Sequence, residues 1–132
     1  MRANLAILVA GAGLLLSAPA VFAHHSFAAE YDAAKPVELK GTVTKVEWTN
    51  PHARFYVDVK DASGKVTNWN FELASPNVLT RNGWTRHSLK EGDVITVQGS
   101  RAKDGDNLAN ARSVVLADGK KVFAGSATDN GQ

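Results

Sequence analysis

Residues 53–73 read ARFYVDVKDASGKVTNWNFEL, and the expected fold follows from this stretch. Apolar residues alternate with polar residues on each side of a central turn, which predicts two half-buried β-strands joined as a hairpin. If apolar side chains face one another across the pair, Phe55 opposes Phe71. This register leaves residues 62–64 as a three-residue loop, with Gly64 at the left-handed position that such hairpins favour.

The same register defines a polar face on the hairpin. It places Arg54 opposite Glu72 and Tyr56 opposite Asn70, with His52 one step beyond the first of the two strands. Opposite charges that face each other across an antiparallel pair stabilise it modestly. We therefore expect Arg54→Ala and Glu72→Ala to be coupled by about a few tenths of a kcal/mol, as exposed ion pairs are.

A strand precedes the hairpin, and a short helix follows it. The strand begins at Val37, and its alternation changes phase between Val43 and Val46, which predicts a bulge or a sharp bend. Ser75 suits the N-cap of a helix of about two turns, and Gly83 suits the position where that helix ends. Two further strands are predicted at residues 94–99 and 109–116.

Three strands, one helix and two strands form the element order of an OB-type barrel. The sequence therefore predicts a mainly β fold, a small five-stranded OB-like barrel with one short helix between strands 3 and 4. A small β-sandwich is the alternative, and the bent first strand favours the barrel. We expect the barrel to span residues 37–124, after an N-terminal segment at 24–36 and before a disordered tail at 125–132.

Residues 1–23 have the features of a secretory signal peptide. Arg2 is their only charge, the apolar run at 5–16 follows it, and small residues suit cleavage after Ala23, with cleavage after Ala20 as the alternative. Spanning a membrane takes about 20 apolar residues, and this run has 12. We expect a periplasmic protein that has no membrane anchor after cleavage.

Charge and cysteine content exclude several classes of function. Without Arg2, 14 Lys and Arg residues face 13 Asp and Glu residues, so the mature chain lacks the basic excess that nucleic-acid binding requires. We therefore expect no nucleic-acid partner. The chain has no cysteine, which excludes disulfides and thiolate sites. A metal site would use imidazole, amine, carboxylate or water ligands, which suit Cu(II) or Zn(II).

Cleavage after Ala23 would leave two histidines at the start of the mature chain. The α-amino group and the imidazoles of His24 and His25 can then become neutral metal ligands at modest cost. A further imidazole from the fold would complete the site; His52 is the natural candidate and His87 the other. Glu72 would serve either as an oxygen ligand or as a hydrogen-bond partner that orients one of the ligands. The alternative is that these histidines have no role.

A second hypothesis is a metal-free module that binds a protein or a small polar ligand on the face of strands 2 and 3. Its candidate ligand face comprises Arg54, Tyr56 and Asn70, with Trp48 and Trp84 at the rim. A third hypothesis is a copper redox enzyme. The sequence contains no catalytic motif such as G-x-S-x-G or H-E-x-x-H, so we expect a binding module and not an enzyme.

Four motifs carry a resemblance to a known group of proteins. They are HHSFAAEYD at 24–32, GTVTKVEWTNPH at 41–52, WNFELASPNVLTRNGW at 69–84 and LKEGDVITVQG at 89–99. In this order they resemble a family of small exported bacterial proteins of unknown function. The resemblance covers essentially the whole mature chain and implies export and one small β domain, but it implies no activity.

Overall fold

Six strands and two short helices make up the part of the chain that the computed structural model describes, residues 27–125. In chain order they are α1 (Phe27–Glu30), β1 (Tyr31–Glu47), β2 (Arg54–Lys60), β3 (Val66–Glu72), α2 (Pro76–Arg81), β4 (Val94–Ala102), β5 (Leu108–Val115) and β6 (Lys121–Phe123). The predicted leader and nearly all of the predicted tail lie outside the described residues. Neither helix in residues 27–125 has the length and apolar character that crossing a membrane requires.

The strands close into a ring. β1 pairs antiparallel with both β2 and β4, β2 pairs with β3, and β4 pairs with β5. β3 and β5 run parallel, with Phe71 opposite Ala109, and this pairing closes the barrel. With α2 between β3 and β4, this is the topology of an OB fold, so the predicted fold class is confirmed.

The hairpin of β2 and β3 has the predicted register. Phe55 lies opposite Phe71, and their rings stack with centroids 5.2 Å apart in the core. Arg54 lies opposite Glu72, as expected. Gly64 has φ of 88° in the turn, a conformation that favours glycine.

The first strand is longer than the sequence indicates. β1 begins at Tyr31, which pairs with Ala102 of β4, and not at Val37. The stretch between Tyr31 and Pro36 lacks an apolar alternation, and its register with β4 is irregular, so only the tertiary pairing reveals it. The barrel therefore includes residues that the sequence assigned to the N-terminal segment.

A bulge bends β1 where the phase change predicts one. The register with β2 shifts between Val43 and Lys45, so the bulge is confirmed. Gly41 lies just before it, and a Cβ atom at this position would be 2.3 Å from the carbonyl oxygen of Asp58. A glycine is therefore required for β1 and β2 to approach this closely.

A sixth strand, which the five-strand prediction missed, follows the last turn. β6 has only three residues, Lys121–Phe123, too few to show an alternation, and it pairs antiparallel with β5.

The helix α2 begins at the predicted cap, because the Ser75 side chain accepts a hydrogen bond from the backbone amide of Val78 at 3.4 Å. Trp84, after the helix, is only 2% exposed, and its indole nitrogen donates to the Phe123 carbonyl at 2.7 Å. This contact ties the end of β6 to the core.

Candidate functional site

Glu72 is the centre of a cluster of polar side chains at the end of β3. Glu72 is only 8% exposed, although its side chain carries a carboxylate. Oε2 accepts from Arg54 Nη2 at 2.5 Å and from the Tyr31 hydroxyl at 3.0 Å. Oε1 lies 3.6 Å from His52 Nδ1. We refer to Tyr31, His52, Arg54 and Glu72 as the Glu72 cluster.

Three separate stretches of the chain bring this cluster together. Arg54 and Glu72 are cross-strand partners at the ends of β2 and β3. His52 precedes β2, directly after the cis peptide bond between Asn50 and Pro51. Tyr31 is the first residue of β1, 41 positions from Glu72 in the chain. The cluster therefore connects the N-terminal part of the described chain to the polar face of the hairpin.

The hydrogen bond of His52 defines which ring nitrogen is available. Nδ1 lies 3.0 Å from the carbonyl oxygen of Leu73. A carbonyl only accepts, so in the neutral imidazole Nδ1 carries the hydrogen and Nε2 holds the lone pair. The side chain is 32% exposed. Metal-binding histidines commonly donate their other ring N–H to a carbonyl or a carboxylate in this way.

Tyr31 is a buried donor to Glu72. The residue is 2% exposed, and burial, followed by the charge of Glu72, raises the pKa of its phenol well above the usual value. The phenol therefore keeps its proton and donates to the carboxylate. Its ring lies against that of Phe27 in α1, with centroids 5.6 Å apart. In this way α1 is held next to the Glu72 cluster.

The side chains on the outer part of the polar face form hydrogen bonds and ion pairs with one another. Arg54 Nη1 donates to the Asn70 side-chain oxygen at 3.4 Å. The Tyr56 hydroxyl donates to Glu47 at 3.5 Å, and Lys45 Nζ lies 2.7 Å from the other Glu47 oxygen. The hydrogen bond from Lys45 lowers the pKa of the Glu47 carboxyl. Side chains that the sequence offers to a ligand are thus engaged with their neighbours.

A protein family matches most of this chain. The family whose model matches residues 12–111 is described as "Family of unknown function (DUF6152)". The chain belongs to this family. The DUF6152 description assigns no activity, which agrees with the expectation of a family of unknown function. No curated protein matches the sequence.

Among solved structures, a mitochondrial single-stranded DNA binding protein from S. cerevisiae, Rim1, is similar to this DUF6152 chain. The two share 8% sequence identity with a TM-score of 0.49, over 62% of this chain and 92% of Rim1. A likeness at this level does not indicate what this chain binds. The absence of a nucleic-acid partner stays a prediction.

The structure brings together some of the predicted metal ligands of this DUF6152 protein. His52 and Glu72 are neighbours, whereas His24 and His25 lie outside the described residues. Oε2 of Glu72 accepts two hydrogen bonds within the cluster, and Oε1 lies 3.6 Å from His52 Nδ1. Within residues 27–125, no three His, Cys, Asp or Glu side chains are grouped closely enough to hold a metal ion. His87 is exposed in the loop after Trp84.

One predicted rim residue is wrong, and one member of the cluster was missed. Trp84 is buried in the core with its indole N–H engaged, so it is not part of a ligand face. Trp48 is half-buried and packs against the core. Tyr31 was not among the predicted site residues, because nothing in its local pattern indicates a contact with Glu72. Its place in the motif HHSFAAEYD was the one available signal.

Proposed function

We propose that this protein is an exported periplasmic binding module that holds Cu(II) or Zn(II). The ligands are the α-amino group and imidazole of His24, the imidazole of His25 and Nε2 of His52. One observation carries the proposal: Tyr31, near the start of the described chain, and His52 contact the two oxygens of the same buried carboxylate, Glu72.

The length of chain before Tyr31 is sufficient for this arrangement. The Phe27 ring lies against Tyr31, 5.6 Å between centroids, and His24 precedes Phe27 by three residues. An extended chain covers about 3.3–3.6 Å per residue, so His24 can lie up to about 10 Å from Phe27. The proposal therefore places the mature N-terminus close to Phe27, whose ring is held against Tyr31 of the Glu72 cluster.

His52 has the properties of a metal ligand that is already oriented. Its Nδ1 donates a hydrogen bond to the Leu73 carbonyl and lies close to Glu72. The lone pair on Nε2 of this partly exposed ring is therefore available to a metal ion. An exposed neutral imidazole and an α-amino group together prefer Cu(II) or Zn(II) over hard cations. Because protons compete with the metal for imidazole and amine nitrogens, metal affinity should weaken as the pH falls.

The metal-free alternative has weaker support. A small polar ligand on the hairpin face would have to displace contacts that Arg54 and Tyr56 already make with Glu72, Asn70 and Glu47. Breaking such contacts costs free energy that the ligand must recover. We also propose binding and not catalysis, because the sequence contains no catalytic motif such as G-x-S-x-G or H-E-x-x-H.

The test begins with the N-terminus of the exported protein, located by mass spectrometry. Calorimetric titration of the chain that begins at His24 should then give submicromolar binding of Cu(II) or Zn(II). We expect His52→Ala to weaken binding at least about tenfold, as loss of a ligand would. The matched control is His87→Ala, which removes an exposed imidazole elsewhere and should leave affinity unchanged.

A second variant tests the amine. A methionine placed ahead of His24 moves the α-amino group and should weaken binding while leaving the fold intact. If His52→Ala binds as tightly as the unmodified chain, the metal is held by an isolated tail and the proposal is wrong. If the chain beginning at His24 binds neither metal, the metal-free alternative becomes the better explanation.

A further inference from the structure

The N-terminal part of the described chain is held in place at two points. On one side, the Lys103 amide donates to the Glu30 carbonyl at 2.9 Å, and Lys103 Nζ donates to the Ala28 carbonyl. On the other side, the Tyr31 hydroxyl donates to Glu72 at 3.0 Å. Only the second contact reaches the carboxylate next to His52.

Glu72 cannot be replaced easily as the anchor for Tyr31. It is buried, and its position is fixed by Arg54 across the hairpin at 2.5 Å. A hydrogen bond to an ionised acceptor is stronger than one between neutral groups. The buried phenol has no protein acceptor other than Glu72 in the structure of residues 27–125. Lys103 and the pairing with Ala102 also hold the start of β1, but the Tyr31 hydroxyl is the contact that ties it to the carboxylate next to His52.

From this geometry we infer that Tyr31 is a positioning residue: its hydroxyl docks the N-terminal segment against Glu72 and so delivers the segment to His52. The inference deepens the proposed metal site and rests on it for the affinity effect. The docking itself stands on contacts within the described residues. Arg54 holds the Glu72 carboxylate in position, and the Tyr31 hydroxyl bonds to that carboxylate. A substitution at Tyr31 can therefore remove the docking contact without disturbing the pair of Arg54 and Glu72.

The substitution that tests this inference is Tyr31→Phe, which keeps the ring that packs against Phe27 and removes only the hydroxyl. Its matched control is Tyr56→Phe, on the same face of the barrel, whose hydroxyl contacts Glu47 and not the segment. Hydrogen exchange of amides 27–35 should accelerate about tenfold in Tyr31→Phe, the loss expected from one hydrogen bond to a charged acceptor. It should not change in Tyr56→Phe.

Metal titration separates positioning from a general loss of stability. In the chain that begins at His24, Tyr31→Phe should weaken Cu(II) binding about 10- to 100-fold, as removal of a supporting contact behind a ligand does. In the His52→Ala background the same substitution should change affinity less than about twofold, because there is no longer an imidazole to reach. The electron paramagnetic resonance spectrum of Cu(II) in Tyr31→Phe should shift towards that of His52→Ala.

The outcomes distinguish the two proposals. Equal losses of affinity in both backgrounds, or unchanged exchange of amides 27–35, would overturn the positioning role of Tyr31. If the unmodified chain binds no metal, the proposed function fails. The exchange measurement then decides by itself whether Tyr31 docks the segment, since faster exchange in Tyr31→Phe but not in Tyr56→Phe supports docking and equal exchange contradicts it.

Discussion

Arg54 lies directly opposite Glu72 across β2 and β3, and its Nη2 atom is 2.5 Å from Glu72 Oε2. The sequence predicts this pairing as an ordinary surface ion pair. In the structure, the Glu72 side chain is only 11% exposed and the Arg54 side chain 29%. The pair is therefore partly shielded from water, and removing one partner leaves the other poorly compensated.

The first prediction concerns the strength of this pair. Arg54→Ala leaves a buried carboxylate without its cation, so we expect the free energy of unfolding to fall by about 1.5–3 kcal/mol. A double-mutant cycle with Glu72→Ala should give a coupling of about 1 kcal/mol or more, above the few tenths typical of exposed pairs. Urea unfolding of the four proteins measures it.

The control for this cycle is the exposed pair on the same face. Lys45 and Glu47 lie 2.7 Å apart, with side chains 59% and 30% exposed. Their coupling should be clearly smaller than that of Arg54 and Glu72. Additive effects of Arg54→Ala and Glu72→Ala would show that the shielding of Glu72 has no energetic consequence.

The second prediction concerns the close approach of β1 and β2. Gly41→Ala would place a Cβ atom 2.3 Å from the Asp58 carbonyl oxygen and 2.6 Å from Val57 Cγ1. The strands would have to separate, so we expect a loss of about 1–3 kcal/mol in the free energy of unfolding, the usual range for overpacking. The neighbouring exposed substitution Thr42→Ala should change it by less than about 0.5 kcal/mol. Equal effects of the two substitutions would contradict the contact.

Local patterns were sufficient to predict the central elements of this fold. The alternation in β2 and β3 fixed which residues oppose each other, because a slip by one position would expose Phe55 and Phe71. Ser75 and Gly83 marked the ends of α2 because capping depends on residues within one turn of the helix. These features are decided by neighbours in sequence or across one short turn.

The candidate site could be predicted only in part. His52 and Glu72 were placed together because both follow from the hairpin register. The sequence does not predict the burial of Glu72 or its contact with Tyr31, because Tyr31 lies 41 residues away and outside any regular apolar pattern. One hydrogen bond, from the Trp84 indole nitrogen to the Phe123 carbonyl, links the buried Trp84 to the end of β6, and neither feature is visible in the local sequence pattern.

The third prediction concerns that hydrogen bond. Trp84→Phe keeps an aromatic ring in the core but leaves the Phe123 carbonyl without the indole donor 2.7 Å away. We expect a loss of about 1–3 kcal/mol in the free energy of unfolding and faster hydrogen exchange at Val122 and Ala124, where β6 is tied to the barrel. Trp48→Phe, at a half-buried position, should leave exchange in β6 unchanged. If β6 exchanges at the same rate in both variants, the indole does not hold the strand.

The last prediction follows from the raised pKa of the buried Tyr31 phenol. A tyrosine ordinarily ionises near pH 10.0, and in the folded protein burial and the charge of Glu72 move this pKa higher. The stability that Tyr31 contributes is therefore fully present below pH ~10, and it is lost as the pH rises because only the unfolded chain releases the proton. Above this point the loss should approach about 1.4 kcal/mol per pH unit.

Urea unfolding between pH 8 and 11 should show this decline in the unmodified protein and in Tyr56→Phe, and a smaller decline in Tyr31→Phe. Parallel curves for all three proteins would mean that the phenol of Tyr31 ionises as readily in the folded barrel as in the unfolded chain.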